Sequence, residues 1–168
     1  GSEMCIRDRF LQVMRERDVL LGLHVGGRPT NLDFHEPSIE PLFEIHSTHG
    51  TSEWFVLDAI RRGYRVGITG GTDGVMGRPG ACHPGRRLTR NVHNGLTAIR
   101  ADELSRSGLW SALKARQCYA TSGARILLDV ESDGHGLGDK GTAISTGGQN
   151  RRCSACYSPL SRTGMPFC

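Results

Sequence analysis

Side chains able to bind a metal ion follow three apolar runs of the sequence. The run VLLGL ends at His24, the run LFEIHSTHG carries Glu44 and His49, and the run RVGITGGT ends at Asp73. Runs of this kind are typical of buried strands, and α/β folds hold their ligands at the carboxyl ends of such strands. A divalent ion needs several nitrogen and oxygen donors from separate rigid elements. The pattern therefore predicts a metal-dependent hydrolase.

Helices and further strands are predicted around these three runs. Residues 52–62 are typical of a helix, in which Trp54, Leu57 and Ile60 recur at three-residue spacing and are predicted to face the core. The other predicted elements are a helix over Phe10–Arg17, strands over Val19–Val25, Leu42–Ser47, Tyr64–Thr72, Gly95–Arg100 and Ile126–Glu131, and a helix that Asp102 caps and that runs to about Arg116.

Five strings between residues 19 and 138 resemble an uncharacterised bacterial branch of the polymerase-and-histidinol-phosphatase (PHP) superfamily of metallohydrolases. They are LHVGGRPTNLD, FEIHSTHGTSEWF, RRGYRVGITGGTDGVMGRPGA, GLTAIRADEL and ALKARQCYATSGARILLDV. The resemblance implies an α/β fold, a distorted (β/α)7 barrel with divalent metal ions (Zn, Mn or Fe) at its carboxyl mouth. It covers the C-terminal half of that barrel, so we expect a truncated barrel with open edges.

The resemblance implies metal-ligand roles for His24 and Asp73, and we add Glu44 and His49 as predicted metal ligands. Glu44 lies on a predicted strand, where a buried carboxylate would need a partner or a metal ion. His49 precedes the helix over residues 52–62, whose first N–H groups favour an anionic substrate, so it is predicted to contact either metal or substrate. His49 and Asp73 are the predicted catalytic residues.

Two arginines in glycine- and proline-rich loops are candidates for binding the substrate. Arg28 in GGRP and Arg78 in GRPG could each grip a phosphate or carboxylate through a bidentate guanidinium, although solvated loop arginines are an equally good interpretation. We expect a phosphoesterase-like hydrolase of a small anionic substrate, in which the metal ions stabilise developing negative charge.

The sequence departs from the PHP pattern in two places, and these departures support an alternative. No His-x-His precedes His24, and Asp73 is followed by Gly74 and Val75 where an Asp-x-His pair is usual. Thr-Asp-Gly is also favourable turn chemistry, so Asp73 could simply shape a turn. We expect this chain alone to be inactive, and the alternative function is that of a non-catalytic PHP-like remnant acting as a binding module.

The chain divides into four predicted segments. Residues 1–9 are interpreted as an artefactual leader of a metagenomic fragment, residues 10–123 as a partial PHP-like barrel, and residues 124–138 as the start of an accessory β region. Residues 139–168 are rich in Gly, Ser, Thr and Arg and have little periodicity, so a disordered or frameshifted tail is predicted there.

Composition excludes some functional classes. The 168 residues carry a net charge of only +4, which gives no strong case for a nucleic-acid partner. No stretch approaches the roughly 18 consecutive apolar residues of a membrane span, so no membrane partner is expected. The scattered cysteines do not resemble a secreted disulfide framework and favour a cytoplasmic location. Open barrel edges predict self-association.

Overall fold

A computed structural model of the chain describes residues 2–24, 30–73, 95–132, 134–139 and 151–157. In chain order its elements are helix α1 (Ser2–Glu16), strand β1 (Gly22–Leu23), a 3-10 helix (Leu32–Phe34), strands β2 (Leu42–Ser47) and β3 (Gly50–Thr51), helix α2 (Glu53–Arg61), strands β4 (Gly67–Gly70) and β5 (Leu96–Ile99), helix α3 (Arg106–Lys114), and strands β6 (Cys118–Thr121), β7 (Ile126–Ser132) and β8 (Arg151–Tyr157). None of the described helices is long and apolar enough to cross a membrane.

Strand β2 is the centre of the main sheet. It pairs in parallel with β1 on one side, where Leu42 lies opposite Gly22, and with β4, where Leu42 lies opposite Gly67. The register with β4 shifts between Glu44 and His46, which marks a bulge near the carboxyl end of β2. Beyond this point β2 turns back into the short strand β3, which pairs with it in antiparallel fashion.

The main core lies between this sheet and helix α2. Its buried members are Leu32, Phe43, Phe55, Val56 and Ala59. The rings of Phe43 and Phe55 stack with centroids 5.0 Å apart, and both side chains are fully buried. Burial of each of these aromatic side chains stabilises the fold by roughly 2–3 kcal/mol by area alone. This contact therefore fixes the helix against the sheet.

The ends of α2 follow ordinary helix rules. Glu53 lies in the first turn and Arg61 in the last turn, where their charges complement the helix dipole. Gly63 then adopts a φ of +77°, a left-handed conformation that favours glycine, and its N–H donates to the carbonyl of Ile60 at 2.9 Å. This turn brings the chain directly into the approach to β4.

A second sheet, formed by β5 and β6, packs against β4. The two strands are antiparallel, with Leu96 opposite Thr121, and α3 connects them. Thr97 joins this sheet to β4, because its hydroxyl donates to the carbonyl of Gly70 at 2.7 Å and accepts from the Gly70 N–H at 3.0 Å. A side chain at Gly70 would be only 2.9 Å from the carbonyl oxygen of Leu96, so the close approach of these strands requires glycine here.

The predicted half of a (β/α)7 barrel is wrong. Within the described ranges three strands run parallel, but β3 folds back antiparallel on β2, β5 pairs antiparallel with β6, and β7 pairs antiparallel with β8. A barrel needs each β/α unit to add another parallel strand, and none of the described strands after β4 is added in this way. No sheet among the described residues closes into a barrel, and the fold is a small mixed α/β arrangement.

Several element boundaries also differ from the sequence predictions. Strand β2 matches the predicted Leu42–Ser47, whereas β1 and β4 are shorter than predicted. Helix α1 begins at Ser2, within the predicted leader, and β8 lies within the predicted disordered tail. Helix α3 is capped by Ser105 rather than Asp102.

Candidate metal centre

Three of the predicted ligands lie together at one edge of the main sheet. His24 follows β1, His49 lies in the turn between β2 and β3, and Asp73 follows β4. One donor atom from each residue lies within 4.8 Å of the other two. Because β1, β2 and β4 are parallel neighbours, their carboxyl ends meet at this edge. Side chains that are at least 24 residues apart in sequence therefore lie close together.

Local backbone structure places the second and third of these residues. The N–H of His49 donates to the hydroxyl of Ser47 at 3.1 Å, a hydrogen bond that shapes the turn after β2. Asp73 has a φ of +46°, in the left-handed region that costs most residues free energy but that Asp tolerates better than most. The strained conformation of Asp73 is therefore consistent with a constrained position at a site.

His49 and Asp73 contact each other directly. Nε2 of His49 lies 2.8 Å from Oδ2 of Asp73, and the two side chains are 39% and 28% exposed. The ring centroid of His24 lies 6.1 Å from that of His49. All three side chains are thus accessible to solvent and to a small ligand.

Glu44 contacts His24 rather than joining the three converging donors. Its Oε2 is paired with Nδ1 of His24. A carboxylate that accepts a hydrogen bond from the Nδ1–H group keeps the proton on Nδ1 and leaves the lone pair on Nε2, and carboxylates commonly orient metal-binding histidines in this way. This contact suits a residue that positions His24. The role of Glu44 as a direct metal ligand stays a prediction.

Gly71 makes room for the Glu44 carboxylate. A Cβ atom at position 71 would overlap Oε1 of Glu44. The Gly71 N–H also donates to the carbonyl of His46 at 2.8 Å, which ties the segment before Asp73 to β2. Sequence reasoning missed this role, and the Gly70-Gly71 pair directly after an apolar run was the available signal.

The chemistry and spacing of the donors fit a divalent metal ion. Donors held about 2.0–2.2 Å from a tetrahedral ion lie roughly 3.3–3.6 Å from one another. The three donor atoms here lie within 4.8 Å of one another, and one pair is 2.8 Å apart, so side-chain rotations would be needed to reach that spacing. Two histidines and one carboxylate are also a common ligand set for catalytic zinc, which keeps a fourth position for water or substrate.

The structure describes only some of the other residues that the sequence singles out. Arg28 and Arg78, the predicted substrate-binding arginines, and Val75 fall outside the described residues. His46 forms a 2.6 Å hydrogen bond between its Nδ1 and the Thr51 hydroxyl and so joins β2 to β3. His35 is a core histidine whose ring packs against Phe43 and Tyr64.

Comparisons with known proteins give a family of unknown function. Residues 64–133 match the family described as "Protein of unknown function (DUF3604)". An uncharacterized protein of Chlamydia trachomatis serovar D is 31% identical over 137 residues, which cover 68% of this chain and 22% of the relative. An uncharacterized protein of Chlamydia muridarum is 33% identical over 105 residues, which cover 56% of this chain and 15% of the relative.

The chain thus spans about a fifth or less of the length of these two relatives. No solved structure matches it. The segment that matches the family includes β4, Asp73 and the strands β5 to β7, whereas His24 and His49 precede it.

Proposed function

We propose that this chain forms part of a metal-dependent hydrolase of the PHP type, phosphoesterase-like, that acts on a small anionic substrate. The observation that carries the proposal is the convergence of His24, His49 and Asp73 within 4.8 Å at the carboxyl ends of parallel strands. The strings that resemble the PHP superfamily support it independently, because they contain the same three residues.

His24, His49 and Asp73 would hold a divalent ion such as Zn, Mn or Fe. Such an ion supplies Lewis acidity toward the oxygens of a phosphoester. Glu44 holds His24 through Nδ1 and thereby fixes the ring and its tautomer. Nε2 of His49 and Oδ2 of Asp73 lie only 2.8 Å apart, so both atoms can reach the same ion.

Arg28 and Arg78 are proposed to orient the anionic group of the substrate. Their guanidinium groups would each offer two parallel N–H donors to a phosphate or carboxylate. A cytoplasmic location likewise stays a proposal that rests on the distribution of the cysteines.

Metal binding by the 168-residue chain is the first test of the proposal. Titration with Co²⁺ or Zn²⁺, followed by cobalt absorption or calorimetry, should show one site, and His24→Gln or Asp73→Asn should weaken binding at least about 100-fold. His135→Gln is the matched control, since His135 is an exposed histidine on a different segment. Equal affinity in the Asp73→Asn and His135→Gln variants would contradict the proposed site.

Hydrolysis is tested separately on a longer protein that contains this chain, recovered by sequencing across both ends of the coding region. We expect metal-dependent turnover of p-nitrophenyl phosphate, reduced by at least about 100-fold in an Asp73→Asn variant. Turnover that persists after chelation, or that the substitution leaves unchanged, would refute the hydrolase. Metal binding without turnover in that longer protein would instead favour the non-catalytic binding module.

A further inference from the structure

Helix α2 exposes an apolar face that the main core does not use. Phe55, Val56 and Ala59 are buried against the sheet, as the core contacts require. On the opposite face Trp54 is 60% exposed, Leu57 is 46% exposed and Ile60 is 57% exposed. The prediction that these three residues face the core is therefore wrong, and their apolar surface is available to a partner.

The sequence of this face is self-complementary about Leu57. Trp54 and Ile60 lie three residues to either side of Leu57, and Glu53 and Arg61 lie four residues to either side. If a second α2 packs antiparallel with its Leu57 against the first, the end that carries Glu53 and Trp54 meets the end that carries Ile60 and Arg61. An antiparallel arrangement about a twofold axis repeats each contact twice.

The opposed groups are chemically matched. Arg61 of one copy would lie within reach of the carboxylate of Glu53 and the ring of Trp54 in the other copy, and both are favourable partners for a guanidinium. Tryptophan and arginine are also the residues most enriched at the centres of protein interfaces. A parallel arrangement would instead place like charges together at both ends of the helix.

We propose that α2 is a self-association surface, at which two copies of this chain pair through antiparallel α2 helices with Leu57 at the twofold axis. This inference does not depend on the proposed hydrolase. A nine-residue helix covers less than the about 800 Å² per partner of a standard interface, so the dimer should be weak, with a dissociation constant on the order of 10 μM to 1 mM.

Sedimentation equilibrium of the whole chain over that concentration range is the primary test. We expect a reversible monomer–dimer equilibrium that Leu57→Glu shifts to monomer. Leu104→Glu is the matched control, because Leu104 is a leucine that is 95% exposed on another segment. Association that survives in the Leu57→Glu variant would place the interface elsewhere and overturn the proposal.

Charge reversal distinguishes this pairing from general hydrophobic association. Arg61→Glu and Glu53→Arg should each weaken self-association at least about tenfold, because each opposes like charges. An equimolar mixture of the two variants should associate as well as the unaltered chain, since each copy then offers the charges that the other needs. Arg125→Glu, at an exposed arginine outside α2, should change nothing. A mixture no more associated than either variant alone would overturn the proposal.

Trp54 fluorescence in a Trp110→Phe background tests whether something other than a second copy covers the same surface. We expect a solvent-exposed emission in dilute solution and a blue shift as the concentration rises. An emission that is already blue-shifted in the dilute monomer would mean that another part of the same chain covers α2, and this outcome too would overturn the pairing. Thermal melting of every variant confirms that the fold is retained.

Discussion

At the scale of single residues, the contact between Glu44 and His24 depends on the absence of a side chain at position 71. We expect Gly71→Ala to displace the Glu44 carboxylate, because the new Cβ would overlap Oε1. Loss of such an orienting carboxylate typically weakens metal binding by about 10–100-fold. Calorimetric metal titration measures the effect.

Gly22→Ala is the matched control for this substitution. Gly22 lies in β1 of the same sheet, and a Cβ there would meet the Leu42 Cβ at an ordinary 4.0 Å. Its metal affinity should equal that of the unaltered chain. If Gly71→Ala binds metal equally well, Glu44 does not position His24 in the way that we propose.

Cys118 gives a second prediction at the residue scale, in this case for pH dependence. Burial raises the pKa of its thiol to about 11 from the ordinary value of 9.0. Between these two values the unfolded chain loses the proton and the folded chain keeps it, so the free energy of unfolding should fall by up to about 2–3 kcal/mol as pH rises through this window. Below pH 9 this thiol should cause no pH dependence.

Urea denaturation at pH 8 and at pH 10.5 measures this effect. The decline in stability should be smaller in a Cys118→Ala variant, whatever that substitution does to stability at pH 8. An identical decline in both chains would show that other groups, such as tyrosines and lysines, account for all of it.

At the scale of elements, helix α2 shows what hydrophobic spacing can and cannot predict. Its bounds and its acidic and basic ends follow from the sequence, and so does strand β2. The buried face of α2 does not follow from the sequence, because apolar residues occur on both sides of the helix. The stripe Trp54, Leu57 and Ile60 has a helical period, but so does the set Phe55, Val56 and Ala59, and only the packing of Phe55 against Phe43 decides between them.

Truncation of the two neighbouring aromatic residues tests this assignment. Phe55→Ala should lower the free energy of unfolding by about 3–5 kcal/mol, since it opens a cavity in the core. Trp54→Ala should cost less than about 1 kcal/mol in dilute solution, because the Trp54 side chain is 60% exposed. Urea denaturation of both variants at low protein concentration gives the comparison. The reverse order would restore the face predicted from the sequence.

The start of α3 provides a further prediction for an element. The Ser105 hydroxyl accepts a hydrogen bond from the N–H of Gly108 at 3.0 Å. Ser105→Ala should therefore lower the free energy of unfolding by about 1 kcal/mol. Ser111→Ala, at an exposed position within the same helix, should leave stability unchanged or raise it by a few tenths of a kcal/mol, roughly the gain in helix propensity. Equal effects of the two substitutions would show that the cap contributes nothing.

At the scale of the whole molecule, the candidate site could be predicted better than the fold that carries it. His24, His49 and Asp73 follow from the ends of apolar runs, because parallel strand ends converge in any α/β arrangement. The prediction of a barrel was wrong, because strand direction after β4 depends on long-range pairing that local sequence patterns do not encode. The backbone of β5 pairs with β6, while its Thr97 side chain reaches Gly70 of β4, and these long-range contacts are not visible in the local pattern of β5.

The convergence of three strands predicts that metal binding stabilises the whole fold. The three donors follow β1, β2 and β4, so an ion bound to all of them joins the three parallel strands at one edge. A ligand present at about 100 times its dissociation constant adds about 2.7 kcal/mol to the free energy of unfolding, which corresponds to a rise in Tm of roughly 5–10 °C for a chain of this size.

Calorimetric or fluorescence melting with and without Zn²⁺ measures that rise. It should vanish in the Asp73→Asn variant and persist in Asp102→Asn, because Asp102 is an exposed aspartate far along the chain from the site. Zn²⁺ that raises Tm equally in both variants would be binding elsewhere, for instance to the cysteines. Binding without any rise in Tm would mean that the ion does not join the three strands, because a ligand that prefers the folded state must stabilise it.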